Sequence, residues 1–464
     1  MRQPYFVPTV IAVAAFAAAS SFAAQLPAAT TAKIDEIAAR ALADTRAPSV
    51  SVAIVQGGKI AYEKAYGQAR LDPAVDARPE MRYCIGSISK QFLAVAILLL
   101  AQDGKLSLDD RVSRYFPELT RAGEITIRQL LSHTSGYQDY YPQDYVPPFM
   151  KEPVTAQKIL DEWAKMPLDF DPGTRWQYSN TNYVIAGRIV ENVTGDALFS
   201  FLSKRILRPL GLNSAIDLDA QPLGPTDAAG YTRFVFGPAR PAPAEGRGWL
   251  YAAGELAMTA HDLALWDISL MEHKLLNPAS LDAMFTPARL RNGTPTGYAL
   301  GVEVLNSGGH PKVIHDGGVA GFVSLNTLWP DQGAAIVVLA NMDGSSSTWA
   351  ITNQAAPLLL ANADDSQADQ ALQQARQILA DLAKGKIDRS LLTPNADAYF
   401  TPQALEDAAA SLKELGSPES VRQTSAELRG GMTSRHFLVK FKYASFELGT
   451  LTLPDGKLEQ FLIQ

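Results

Sequence analysis

From Ile88 to Gln102 the chain reads Ile-Ser-Lys-Gln-Phe-Leu-Ala-Val-Ala-Ile-Leu-Leu-Leu-Ala-Gln, and Gly104 ends the helical pattern. A helix with almost no polar side has no face to offer to water, so protein or lipid must surround it. This one is shorter than the ~20 residues that span a bilayer. The rest of the chain therefore has to wrap it, which calls for a large domain with this helix at its centre. The 464 residues, 47% hydrophobic and 19% charged, are enough for two or three packed units. Charge removes other classes of protein. Against 41 Lys and Arg stand 48 Asp and Glu, a net −7 without basic blocks, so neither nucleic acid nor an anionic membrane surface is an expected partner. Cys84 is the one cysteine, which excludes an intramolecular disulfide framework. The six histidines contain no helical two-His pair, so no metal or other cofactor is expected.

The first residues read as an address. An apolar run from Val10 to Ala19 precedes Ser21-Phe22-Ala23, the small-x-small pattern of a signal-peptidase site. We expect a signal peptide over 1–23, cleavage after Ala23, and a periplasmic or secreted protein with no stable membrane anchor. Beyond it, Ala32–Leu42 has helical periodicity, Ser49–Val55 reads as a buried strand, and Gln56-Gly57-Gly58-Lys59 turns it back into a second strand, Ile60–Tyr66. From about Leu106 to Leu290 helical pieces and long loops dominate. Strand character returns at Gly297–Val304, Lys312–Ile314, Phe322–Trp329 and Ala334–Ala340, followed by a helix over Ser347–Ala361. Strands at both ends of a helical insertion predict one sheet built from both ends, with a cleft beside the helical region. This unit is expected to occupy 24–362. A polar linker at 363–370 then leads to a module over 371–464. There Leu372, Ala375, Leu379 and Leu382 share a helical face, Pro402–Leu415 forms a second helix, and His436–Tyr443 alternates with Phe437, Val439, Phe441 and Tyr443 on one side.

Ser87-Ile88-Ser89-Lys90 opens the apolar helix. A serine hydroxyl needs a neighbouring base to attack at neutral pH, and positions i and i+3 of a helix lie on the same face. The helix N-terminus favours developing negative charge, and an amine held among apolar groups loses its proton more easily. The spacing alone is weak, since composition yields it on the order of once in a chain this long, with Ser87 as a mere cap. Two further segments add to it. In Tyr178-Ser179-Asn180 a phenol can relay protons and an amide can hold a carbonyl or the lysine, although a polar loop against Trp176 would look the same. In His315-Asp316-Gly317-Gly318 the glycines allow a ligand to approach the backbone and an N–H to complete an oxyanion hole, although a plain glycine turn is the simpler account.

With all three in this order, the sequence resembles the serine β-lactamase and penicillin-binding-protein superfamily, in its class C β-lactamase-like group. Gly104–Asp110, Leu130–Gly136 and Ala252–Leu256 also look like family segments, and the likeness runs from Ile34 to Ala361. The resemblance implies an α/β (α+β) serine β-lactamase-like fold, an antiparallel sheet flanked by helices plus an all-helical subdomain. The final module is similar to cystatin-like or NTF2-like α+β domains in element order only. By resemblance Ser87 is the acylated nucleophile, Lys90 its base, Tyr178 the proton relay and Asn180 a substrate-orienting residue, with His315, Gly317 and Gly318 on the substrate-binding strand. His133, although it sits beside serines, belongs to a segment that looks structural. Where classical β-lactamases carry Lys-Thr-Gly this chain has His315-Asp316-Gly317, so attraction to a substrate carboxylate is weakened. The implied activity is hydrolysis of a small ester, D-amino-acid peptide or β-lactam through an acyl-enzyme. The partner is then a small-molecule or peptide substrate, with cell-wall peptide among the candidates. A non-catalytic or slowly turning over sensor of β-lactams or muropeptides is the alternative. An α/β-hydrolase is disfavoured because no Gly-x-Ser-x-Gly occurs.

Overall fold

The apolar segment forms the helix Ser89–Gln102, entered through a 3₁₀ turn at Gly86–Ile88. Every side chain from Ser89 to Leu100 is buried, as an all-round apolar helix requires. Phe92 stacks on Trp266 with ring centres 4.1 Å apart, and the Trp266 Nε1–H donates to Gln91 Oε1 at 2.8 Å, satisfying a polar group in the core. The computed structural model describes residues 25–235, 237–307, 310–360, 368–429 and 431–463. The segment expected to be a signal peptide, and the linker up to residue 367, lie outside the described residues. Among the described residues no helix is long and apolar enough to cross a membrane.

Both ends of the first unit meet in one antiparallel sheet. From edge to edge its strands are Ala74–Asp76, Lys59–Leu71, Ser49–Gln56, Ala334–Ala340, Phe322–Trp329, His310–Val319 and Glu303–Ser307. The central strands are buried on both faces, which is why their sequences are continuous apolar runs. Val50, Val52, Ile54, Ile336 and Val338 pack toward the helices Ala28–Thr45 and Ser347–Leu359. Their neighbours Ala53, Val55, Val337 and Leu339 face the opposite way, into the core that contains Leu263 and Trp266 of the helix Ala260–Met271 and the central helix itself. A small three-stranded sheet, Tyr83–Cys84, Leu256–Met258 and Ile216–Asp217, ties the entry to the central helix to a distant stretch of chain.

The architecture is the one the resemblance implies, with local differences. The expected strand over Gly297–Val304 begins only at Glu303. Gly297 and Gly301 both adopt left-handed φ values, +79° and +75°, and turn the chain. Residues 368–382 are already helical, so the second module begins before the end of the expected linker. That module has helices Ala368–Leu382 and Pro402–Leu415 and a sequential four-stranded antiparallel sheet, Ser420–Arg429, Met432–Lys440, Ser445–Thr452 and Leu458–Ile463. Its first strand has a mixed polar sequence without alternation, so no sequence signal marks it. Phe437, Val439 and Phe441 are buried as expected, but Tyr443 is 88% exposed because the strand ends at Lys440 and a turn carries the tyrosine out.

Among the described residues the buried core of this last module lies within 371–461, and the two cores before it lie within 26–359. A chain ending at Asp365 is therefore expected to stay soluble and to unfold in one cooperative thermal transition. Insolubility, or a broad melt without a baseline, would show that the two parts share a core.

Candidate active site

Lys90 is fully buried, and its Nζ has three oxygen neighbours. They are Ser87 Oγ at 2.9 Å, Asn180 Oδ1 at 2.8 Å and the Ala253 carbonyl at 2.7 Å. The three come from separate parts of the chain. Ser87 is in the 3₁₀ turn; its side chain makes no helix cap, which sets aside the reading of it as a simple capping residue. Asn180 starts the helix Asn180–Thr194. Asp139 fixes the asparagine by accepting from its backbone N–H at 2.9 Å and from Nδ2 at 3.2 Å, which turns Oδ1 toward the lysine. Ala253 is presented by a turn in which Ala252 takes a left-handed φ of +59° and its N–H donates to Glu255. Ser89 Oγ accepts from the Leu256 N–H, and so joins that turn to the base of the central helix.

Burial pushes the Lys90 amine down to about 7, against the smaller upward pull of Asp139 and Asp316. The proton count then has a definite meaning. As an ammonium, Lys90 donates to all three oxygens. As a neutral amine it keeps two N–H bonds for Asn180 and Ala253 and turns its lone pair to the Ser87 O–H. That is the arrangement a general base needs.

Tyr178 lies against this pair. Lys90 Nζ stands 5.0 Å from its ring centre, and its hydroxyl is beside the Ser87 hydroxyl. Burial holds the phenol well above its usual range, so it stays protonated at neutral pH. His133 supports this wall from behind. It is fully buried, its ring centre is 4.2 Å from that of Tyr178, and its Nδ1 accepts from the Ser179 N–H at 3.1 Å.

The strand His310–Val319 forms the opposite side. The main-chain N of Gly318 lies 3.0 Å from where a β-carbon on Gly86 would stand, so the strand edge meets the turn that carries Ser87. At Gly317 a β-carbon would come within 2.1 Å of the Ile85 carbonyl, which restricts the position to glycine. His315, expected on the substrate-binding strand, is turned away. The residue is 2% exposed, its Nε2 meets the Tyr298 hydroxyl at 2.8 Å, and its Nδ1–H donates to the Asp316 carbonyl. Burial, with Lys90 adding to it, pushes the imidazole down to about 3. It is neutral at pH 7 as expected, but it supports Tyr298 and does not face the cleft. Strand alternation makes Asp316 the residue that does.

Ser87, Tyr178, Asn180, Gly318 and Asp316 all line one cleft of about 1370 Å³. Sequence reasoning did not identify Asp139, Ala253, Tyr298 or Asp316 as site residues. Ala253 and Asp316 had a signal, as parts of the Ala252–Leu256 and His315–Gly318 segments.

The profile of the Beta-lactamase family matches residues 34–361. Penicillin-binding protein 4* of Bacillus subtilis (strain 168) is 28% identical over 308 residues, 63% of this chain and 68% of that protein. A D-stereospecific amidohydrolase from Streptomyces sp. superposes with a TM-score of 0.61 and 26% identity, over 69% of this chain and 97% of that one. The octameric penicillin-binding protein homologue from Pyrococcus abyssi is alike in fold over 92% of this chain and 94% of its own, with a TM-score of 0.61 and 20% identity.

If Lys90 accepts the proton, only its neutral form is active, and that form grows as pH rises. The rate of acylation should climb about tenfold per pH unit below a midpoint near 7 and level off above it. Stopped-flow acylation across pH 5–9 measures this. A profile flat through pH 7, or one falling as pH rises, would contradict Lys90 as base.

Proposed function

Since this chain belongs to the Beta-lactamase family of serine hydrolases, we propose that it is an exported enzyme that cleaves a small ester or amide through an acyl-enzyme on Ser87. The observation that carries the reading is the 2.9 Å contact between Ser87 Oγ and a fully buried lysine whose pKa lies near neutrality. In the proposed first step Ser87 Oγ attacks the substrate carbonyl carbon while its proton passes to Lys90 Nζ. The carbonyl oxygen becomes an oxyanion between the main-chain N–H groups of Ser87 and Gly318. Tyr178, protonated and beside both groups, hands a proton to the departing alcohol or amine, and Lys90 replenishes it. Water then repeats the sequence on the acyl-enzyme and releases the acid. Asn180 keeps the lysine in line and offers its amide to the substrate.

The amide side of the proposal is supported by the likeness to the D-stereospecific amidohydrolase. The ester, D-peptide and β-lactam substrates all share the carbonyl chemistry just described. Export is supported by the apolar Val10–Ala19 run and the Ser21-Phe22-Ala23 site. A pure sensor has no need of a neutral lysine at hydrogen-bond distance from its serine, which favours turnover.

Ser87→Ala is expected to lower kcat/KM on a panel of esters, D-amino-acid amides and β-lactams by at least about 10³-fold. Stability should change by less than about 1 kcal/mol, because the hydroxyl caps nothing. Most of the hydrolysis surviving in the purified variant would remove Ser87 as nucleophile. A wild type that acylates without turnover would support the sensor.

A further inference from the structure

Alternation along the strand His310–Val319 sends His315 into the core and Asp316 into the cleft. Glu303 pairs directly with Ile314, two positions before Asp316, so Glu303 and Asp316 share one sheet face as diagonal neighbours. Both line the cleft that contains Ser87. Among the described residues neither carboxylate has an ion-pair partner. The same cleft is lined by Asp144 and Asp343, with Arg233 as the one arginine or lysine among its described lining residues. A concave wall in which carboxylates outnumber the cations concentrates a negative field on whatever enters. Burial first and Asp316 second hold Glu303 above the usual carboxylate range, with Lys312 pulling the other way; burial also raises Asp316, against the pull of Lys90.

Asp316 also stands at a meaningful distance along the chain. It is two residues before Gly318, about 6.7 Å along a strand, and the Gly318 nitrogen is the group that faces the Ser87 turn. A substrate lying against this edge with its carbonyl oxygen at Gly318 brings a substituent on the adjacent carbon within reach of the Asp316 side chain. The rim adds the exposed aromatic rings of Tyr145, Trp176 and Phe234, which suit an apolar group beyond that substituent.

We propose that Asp316, assisted by Glu303, is the specificity-determining residue of the cleft and selects substrates with a free ammonium group next to the scissile carbonyl, against those with a carboxylate there. The inference rests on the reading of Ser87 as the nucleophile, and it names the substrate class for that same site. An amino-acid amide or ester with an aromatic side chain and an unblocked amine has the required chemistry. An acidic wall at this position repels the carboxylate-bearing substrates that a lysine there would attract.

The test uses binding, which does not depend on turnover. The full chain carrying Ser87→Ala is titrated calorimetrically with phenylalanine amide in either hand, with its N-acetyl derivative, and with N-acetylphenylalanine. At low ionic strength the free ammonium should bind at least tenfold more tightly than the blocked amide, with the carboxylate weakest. The margin should shrink in 1 M salt and disappear on adding Asp316→Asn or Asp316→Ser. Equal or reversed affinities, or a margin untouched by both substitutions, would overturn the proposal. The parallel assay of wild-type hydrolysis separates the two readings. Turnover that depends on Ser87 without charge preference removes the role of Asp316 alone. A binding preference without any turnover dependent on Ser87 removes the acyl-enzyme and leaves the charge selection standing.

Discussion

The site depends on a lysine kept out of water. Lys90 is fully buried on a helix whose other side chains are almost all apolar, and enclosing an ammonium ion there costs several kcal/mol unless it is paired or gives up its proton. Among the described residues no carboxylate touches it. Its partners are a hydroxyl, an amide oxygen and a peptide carbonyl, which can hold either protonation state. That choice of neutral partners leaves burial as the dominant influence and sets the amine near neutrality. Each partner brings a structural demand with it. The Ala253 carbonyl requires the left-handed turn at Ala252, Asn180 requires Asp139, and Ser87 requires a 3₁₀ turn pressed against a glycine strand.

Much of this was legible in the sequence, and the limits have physical causes. The central helix was plain because an apolar stretch of that length has no other place to go. Ser87 and Lys90 stood out by helical spacing at the start of that helix, and their roles came from the resemblance that the two later segments complete; the antiparallel sheet followed from strands at both ends of the helical region. Asp139 and Tyr298 act through contacts between residues far apart in the chain, which spacing does not encode. Ala253 contributes a main-chain carbonyl, and any residue type would supply one. The strand Ser420–Arg429 has too mixed a sequence to announce itself.

The pair His315 and Asp316 shows the limit most clearly. The motif was recognisable, yet the side facing the cleft depends on strand parity, and parity is fixed only by register against Asn326 and Leu325. A shift of one residue would have put the imidazole in the cleft. As built, the neutral ring props Tyr298 while the carboxylate meets the substrate side. The consequence is that the residue of this motif lining the cleft is a carboxylate and not an imidazole.

The central claim is that the Ser87 oxygen, activated by Lys90, becomes covalently acylated. The most direct measurement is intact-mass and peptide mass spectrometry on the wild-type protein quenched in acid within the first turnover of a chromogenic ester. The account predicts a mass increase equal to the acyl group, located on the peptide that contains Ser87 and lost again as turnover ends. Hydrolysis without any adduct on that peptide, or an adduct on another residue, would contradict it.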